Sequence, residues 1–177
     1  NNKVSVSVTD DDYTPDVLNE KLVVLISRNT DKTGECRLNV LDNDTDRNGD
    51  SLTTADKTQA GGYGDFTLGT DGTLTYSVSP AKGPIAAITD GQKFDETFTY
   101  TVSDGTNSAT GSVSANVIGG TTYASTEAGE YIFGTSIGDA TTAAKGKEVI
   151  SGGAGKDTIH LHADANGTTR ADGGADT

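Results

Sequence analysis

The chain has 177 residues, with 26 acids against 13 bases and a formal net charge of -13. An acid excess of this size repels nucleic acid and anionic lipid, so no nucleic-acid partner and no membrane insertion are expected, and cations are the natural partners. Only 32% of residues are hydrophobic and 6% aromatic, with no Trp and no Met, so the core must be thin and built from Val, Ile, Leu, Tyr and Phe, which points to β-structure or help from bound ions.

The chain length allows one domain plus a dependent segment. The single Cys36 excludes an intramolecular disulfide framework and reads as a small apolar filler in a strand. No run reaches the roughly 18 apolar residues of a membrane span, and N-N-K-V-S-V-S-V at the start has no signal-peptide profile, so an export signal is expected elsewhere in a longer protein.

From Lys3 to Val8 apolar and polar residues alternate, the period-2 signature of a half-buried strand. Short apolar runs follow at Leu22 to Ile26 and Arg37 to Leu41. Phe66 to Ser79 reads as a hairpin turning at Asp71-Gly72, and Glu96 to Ser103 meets Ser108 to Ile118 across the turn Asp104-Gly105-Thr106-Asn107. No apolar run of helical period reaches ten residues. Residues 1–118 are therefore expected to form an antiparallel Greek-key β-sandwich. Its inward positions are Val4, Val6, Val8, Leu38, Val40, Phe66, Leu68, Leu74, Tyr76, Val78, Phe98, Tyr100, Val102, Val113 and Val117. After Ile118 Gly and Ala become frequent and alternation stops, which sets a second region at residues 119–177.

Between two expected strands lies V-L-D-N-D-T-D-R-N-G-D-S-L, with Asp42, Asp44, Asp46, Asn48 and Asp50 at alternate positions. Asp44, Asp46, Asn48 and Gly49 match the D-x-[DN]-x-[DN]-G opening of a calcium loop, where alternate oxygens converge and the Gly permits the bend. The twelfth position is Ala55, so the bidentate Glu of an EF-hand is missing. A solvated Asx-rich turn is the plain alternative. Against it, several carboxylates repel one another without a cation, and Arg47 is the only base in the loop.

This loop, followed by G-T-D-G-T-L-T-Y, F-T-Y-T-V-S-D-G and G-S-V-S-A-N-V, resembles the VCBS/cadherin-like repeat domains of large bacterial surface proteins and RTX adhesins, over about residues 3–118. The resemblance implies a sandwich repeated along an extended stalk and stiffened by calcium. Pro84 to Asp90 adds length before the last hairpin, where the loops are expected to depart from the family.

In the second region Gly152 to His160, G-G-A-G-K-D-T-I-H, fits G-G-x-G-x-D-x-U-x at every defined position, with U a large aliphatic. Stepping back by nine residues gives Glu130, Asp139, Glu148 and Asp157 at the acid position, and Ile132, Thr141, Ile150 and Ile159 at the aliphatic one. The physical reading is a partial parallel β-roll, in which a short strand buries the aliphatic and a glycine-rich turn bends beside a carboxylate. Two nonapeptides make one coil, so Gly134 and Asp139 are expected to lie against Gly152 and Asp157, with Ala154 and Gly155 in the same turn. After His160 the frame slips by three residues. A phosphate cradle is excluded, because a P-loop needs a Lys-Ser/Thr pair and a helix behind it. The segment resembles the RTX nonapeptide repeats of secreted bacterial proteins, which implies folding on extracellular calcium; the Glu copies depart from the repeat, so the Asp139/Asp157 side is the expected ion edge.

His160 and His162 alternate along one expected strand without a third metal ligand. No H-E-x-x-H or isolated carboxylate pair in an apolar setting appears, so no enzyme is expected. The sequence reads as an all-β calcium-binding structural module of a secreted bacterial adhesin or surface protein, whose partners are calcium ions and neighbouring domains of the same long chain. A cell-surface glycan or protein, or self-association, would complete the list. The rival readings are a carbohydrate-binding accessory module of a polysaccharide-degrading enzyme, using Tyr63 and Tyr123, and a self-assembling surface-layer or filament subunit.

Overall fold

The computed structural model describes residues 12–27, 34–126, 129–135, 137–143, 148–161 and 170–172. The expected strand at Lys3 to Val8, with Val4, Val6 and Val8, lies outside the described residues. The described chain is all-β: β1 (Glu20–Ile26), β2 (Gly34–Asn39), β3 (Thr53–Thr54), β4 (Lys57–Ala60), β5 (Gly64–Leu68), β6 (Thr73–Val78), β7 (Lys93–Ser103), β8 (Ser108–Gly119), β9 (Thr122–Ala124), β10 (Glu130–Phe133), β11 (Ala140–Thr142), β12 (Val149–Ser151), β13 (Thr158–His160) and β14 (Arg170–Asp172). One 3-10 turn spans Ile85–Ala87.

The β2-β6-β5-β4 sheet is antiparallel and forms one leaf of a sandwich. Its partner leaf is the β1-β8-β7-β3 half of a seven-stranded sheet whose full order is β14-β12-β10-β1-β8-β7-β3. Strict alternation makes the inner faces: Phe66, Leu68, Leu74, Tyr76 and Val78 point inward from β5 and β6, and Phe98, Tyr100, Val102, Val113 and Val117 from β7 and β8. Phe66 stacks on Tyr76 at 4.3 Å between centroids and on Phe98 at 5.2 Å, which joins the leaves through an aromatic column. The β5–β6 turn closes on Gly72 at φ +82, where a Cβ would come within 2.4 Å of the Asn39 Oδ1. The segment from Pro84 to Asp90 buries Ile85 and Ile88 in the same core. Cys36 is a buried free thiol within it.

From β9 onward the pairing is parallel. β10, β12 and β14 extend the large sheet beyond β1, while β9, β11 and β13 form a three-stranded sheet facing them. Residues eighteen apart stack, as Ile132 on Ile150 and Thr141 on Ile159, so two nine-residue units make each coil. The next register, Ile150 on Ala171, is longer by three residues and absorbs the frame slip. The structure is thus a sandwich followed by a partial parallel β-roll.

β1 joins the two. It pairs in parallel with β8 on one side and with β10 on the other, and its run E-K-L-V-V-L-I is buried on both faces. Leu22, Val24 and Ile26 enter the sandwich core; Val23 and Leu25 join Ile132, Ala143 and Ile150 in the roll core. Leu22→Ala and Leu25→Ala are therefore expected to lower stability by about 2–5 kcal/mol each, one from each core, read as shifts of the urea midpoint.

Candidate cation sites

Loop 40–52 runs from β2 to β3 and folds on itself through Asx contacts. The Asp46 Oδ1 accepts the backbone N–H of Asn48 at 2.9 Å and of Asp50 at 3.3 Å, and Gly49 turns at φ +84. The segment before β1 lies across this loop: Leu18 N–H donates to the Asp44 Oδ1 at 2.9 Å, Tyr13 N–H donates to the Asn48 Oδ1 at 3.2 Å, and Asp16 and Thr45 exchange backbone bonds of 2.8 and 3.1 Å. The Arg47 guanidinium sits 4.4 Å from the Tyr13 ring centroid, so the loop's one base stacks there.

The β7–β8 turn reaches the same end of the sandwich. Thr53 pairs with Ser103, so Asp104 follows directly beside the β3 end of loop 40–52. The Asn48 Nδ2 donates to the Asp12 Oδ1 at 3.3 Å, and the Asn107 Nδ2 donates to the Asp12 carbonyl at 3.3 Å, which ties both loops to one residue. The Asp104 Oδ1 caps its own turn, accepting from Thr106 N–H at 2.7 Å and Asn107 N–H at 2.6 Å.

Of the five loop residues expected from sequence, Asp44 and Asp46 are half-buried, and each carries a buried Oδ2 without a hydrogen-bond partner; the Asp104 Oδ2 is in the same state. Asp42, Asn48 and Asp50 are exposed, and Asn48 bonds the Asp50 carboxylate at 2.6 Å. Asp104 was missed because an Asp before Gly in a hairpin reads as an ordinary turn residue.

Behind the loop Glu20 is 3% exposed and its Oε2 accepts the Tyr100 hydroxyl at 2.7 Å. Burial, with repulsion from Asp44 added, pushes its carboxyl up to about 7. Burial also raises Asp44, with Asp16 adding to the effect, and raises the Tyr131 hydroxyl to about 12, with Asp42, Glu20 and Asp44 contributing.

The second site lies on one edge of the roll, where Gly134, Thr135 and residues 137–139 stack on the turn Gly152–Asp157. Gly134 N–H donates to the Ser151 carbonyl at 2.7 Å, Ala154 N–H to the Thr135 carbonyl at 3.1 Å, and Asp139 N–H to the Asp157 Oδ1 at 2.9 Å. The Asp139 Oδ2 accepts Thr135 N–H at 2.7 Å and its hydroxyl at 3.0 Å. The approach is too close for side chains: a Cβ on Gly134 would lie 2.2 Å from the Gly152 carbonyl, and one on Gly153, at φ +84, 1.9 Å from the Thr135 carbonyl. Gly155, at φ +106, completes the turn beside Gly138. Asp139 is 4% exposed, and burial followed by repulsion from Asp157 raises its carboxyl above the ordinary value. The Asp139 Oδ1 and the Asp157 Oδ2 are buried without hydrogen-bond partners.

Among the described residues no group of three or more His, Cys, Asp or Glu side chains converges closely enough to hold a metal by side chains alone. A calcium ion takes six to eight oxygens and draws many of them from carbonyls and water, so one or two carboxylates beside a carbonyl-lined turn fit its chemistry. His160 is exposed and His162 lies outside the described residues. Tyr63 is half-buried and stacks on Phe94 at 5.0 Å; Tyr123 is half-buried against the roll core and donates to Glu130, so both rings are engaged within the fold.

The profile of the bacterial cadherin-like domain matches residues 2–119. No curated protein matches the chain. Among solved structures, the endo-fucoidan hydrolase MfFcnA4 from glycoside hydrolase family 107 aligns at 19% identity and TM-score 0.36, over 70% of this chain and 18% of that one. The endo-fucoidan hydrolase MfFcnA9 of the same family aligns at 22% identity and TM-score 0.33, over 62% of this chain and 16% of that one. The chain thus spans less than a fifth of the length of either.

The Glu20 carboxyl gives a pH prediction. Its folded value of about 7 exceeds the ordinary 4.5, so the stabilisation from its retained proton is full below pH 4.5 and is lost as pH rises through 7. In chelator, Glu20→Gln is expected to gain up to roughly 3 kcal/mol relative to wild type between pH 4.5 and 8. Urea unfolding at both pH values measures the difference, and a constant difference would show that burial does not raise Glu20.

Proposed function

The chain belongs to the bacterial cadherin-like family through residues 2–119, and from that premise we propose that it is a non-catalytic, calcium-binding structural module of a secreted bacterial adhesin or surface protein. The reading rests on one observation above all. Of the seven carboxylate oxygens that are buried without a hydrogen bond among the described residues, five, the Oδ2 of Asp44, Asp46, Asp104 and Asp157 and the Oδ1 of Asp139, fall at or beside the two places where the sequence spacing anticipates cations; the other two are the Oε1 of Glu20 and of Glu148. A buried ionised oxygen without a partner is costly, and a hard divalent cation is the group that offsets it.

Asp44 and Asp46 are the side chains assigned to an ion at the end of the sandwich, with Asp104 in the neighbouring turn. Asp139 and Asp157 are those assigned to an ion at the roll edge, in a turn of the RTX nonapeptide type. Calcium, when bound, supplies the positive charge that cancels carboxylate repulsion. The chain's own part is to hold those carboxylates on tight turns at the ends of rigid strands. Among the described residues no helix is long and apolar enough to cross a membrane. Calcium outside the cell and neighbouring domains of the same long protein are the partners this role requires.

Scanning calorimetry in calcium and in excess chelator tests the reading, on wild type and on Asp46→Ala and Asp157→Ala. A single site at a hundredfold excess over its Kd contributes about 2.7 kcal/mol. For a chain of this size chelation is then expected to lower Tm by roughly 5–10 °C per site. Each variant should lose the part of that response belonging to its own site. Identical melting of wild type in calcium and in chelator would refute the calcium role.

A further inference from the structure

The roll has two turn edges, and among its acids Glu130 is held differently from the rest. On one edge Asp139 and Asp157 carry buried oxygens without hydrogen-bond partners. On the other, Glu130 is fully buried, its Oε1 lies 3.0 Å from the Lys21 ammonium, and both its oxygens accept the Tyr123 hydroxyl, at 3.1 and 3.3 Å. Lys21 belongs to β1 and Tyr123 to β9, so the first carboxylate of the roll is gripped by the strand before it in sequence and by the sandwich at once.

The placement follows from register. Lys21 is the direct parallel partner of Glu130, and alternation along β1 puts Lys21 on the same face as Val23 and Leu25, which line the roll core. On its other side Lys21 pairs with Ser114 of β8. β10 therefore receives from the sandwich both a hydrogen-bonding edge and a positive charge. Glu148, the acid eighteen residues on, is fully buried in the coil behind it, and its Oε1 makes no hydrogen bond. Without an adjacent positive charge, burying Glu130 would oppose formation of the first coil.

We propose that Lys21 is a built-in counter-ion that lets the sandwich seed the first coil of the roll without a metal ion. The first rung is closed by a protein ammonium, whereas among the described residues no ion pair reaches Asp139 or Asp157. The Lys21 assignment stands apart from the calcium reading; only the contrast with the Asp139/Asp157 edge rests on it. The consequence is an order of assembly: β10 docks on β1 as soon as the sandwich forms, and later coils add to a ready edge.

Amide hydrogen exchange of the whole chain in excess chelator, followed by NMR, tests this, with β7 and β8 as internal reference. In wild type the β10 amides are expected to be protected along with those of β8. Lys21→Met keeps the aliphatic stem and removes the charge, and β10 protection should fall by roughly a hundredfold or more, the consequence of breaking a buried ion pair. The double variant Lys21→Met with Glu130→Gln removes both charges and should regain protection, even if the single variant disturbs the wider fold. Unprotected β10 amides in wild type beside a protected β7 and β8 would overturn the proposal. So would an unchanged single variant, or a double variant that fails to recover. The β13 amides, including Thr158 N–H bonded to the Asp139 carbonyl at 2.7 Å, report separately on the calcium reading, because they should respond to chelation while β10 does not.

Discussion

Both cores and both acid clusters depend on the two-sided burial of β1. A strand in the middle of a sheet sends alternate side chains to opposite faces, and here each face meets a different core. The alternation carries charge as well as apolar surface. Glu20 points to the sandwich, where Tyr100 holds it behind the acidic loop, and its neighbour Lys21 points to the roll, where it holds Glu130. A slip of one residue would, depending on its direction, put either the Lys21 ammonium behind the loop or the Glu20 carboxylate against Glu130. Opposite charges at adjacent positions thus reinforce the register that the apolar residues set.

The acids of this chain find three kinds of solution. Glu96 is satisfied by backbone, accepting N–H groups of Gly62 at 2.7 Å and Gly64 at 3.1 Å together with the Tyr76 hydroxyl. Glu130 is satisfied by a protein cation. Asp139 and Asp157 satisfy one oxygen each through neighbouring N–H groups and leave the other buried without a hydrogen-bond partner. The glycines explain why the third group occurs where it does. Carbonyls of Gly152 and Thr135 approach the facing turn more closely than any side chain permits, so that edge gathers oxygen beside Asp139 and Asp157. The Glu130 edge is bordered by β1, which supplies Lys21.

The hairpins were legible because their chemistry is local. Alternation from Phe66 to Ser79 with Asp71-Gly72 at the turn, and the long β7–β8 pair across Asp104 to Asn107, follow from neighbouring residues alone. The nine-residue period was legible for a related reason: Ile132 and Ile150 repeat at the spacing of one coil. What escaped the sequence was non-local. Leu22 to Ile26 is a continuous apolar run, which fixes neither the direction of pairing nor the presence of two separate cores. β3 and β4 are short and polar, and the roll strands are three or four residues long, too short to alternate visibly. At the sites, Asp44 and Asp46 were found from spacing, whereas Asp104 and Glu20 join that end of the sandwich only through strand pairing.

The packing unit is larger than the family unit. The family match ends at residue 119, yet Tyr131 and Phe133 of β10 pack against the sandwich core, on the face opposite to Ile132. Tyr131 also feels Asp42, Glu20 and Asp44, so the acidic loop and the first strand of the roll share an electrostatic environment. Charge added at that loop is therefore felt by β10, and loss of β10 uncovers the sandwich beside Leu22 and Val24, the partners of Tyr131 and Phe133 in the ladder. The sandwich and the first coil thus share one continuous packed surface and one sheet, which the later coils extend.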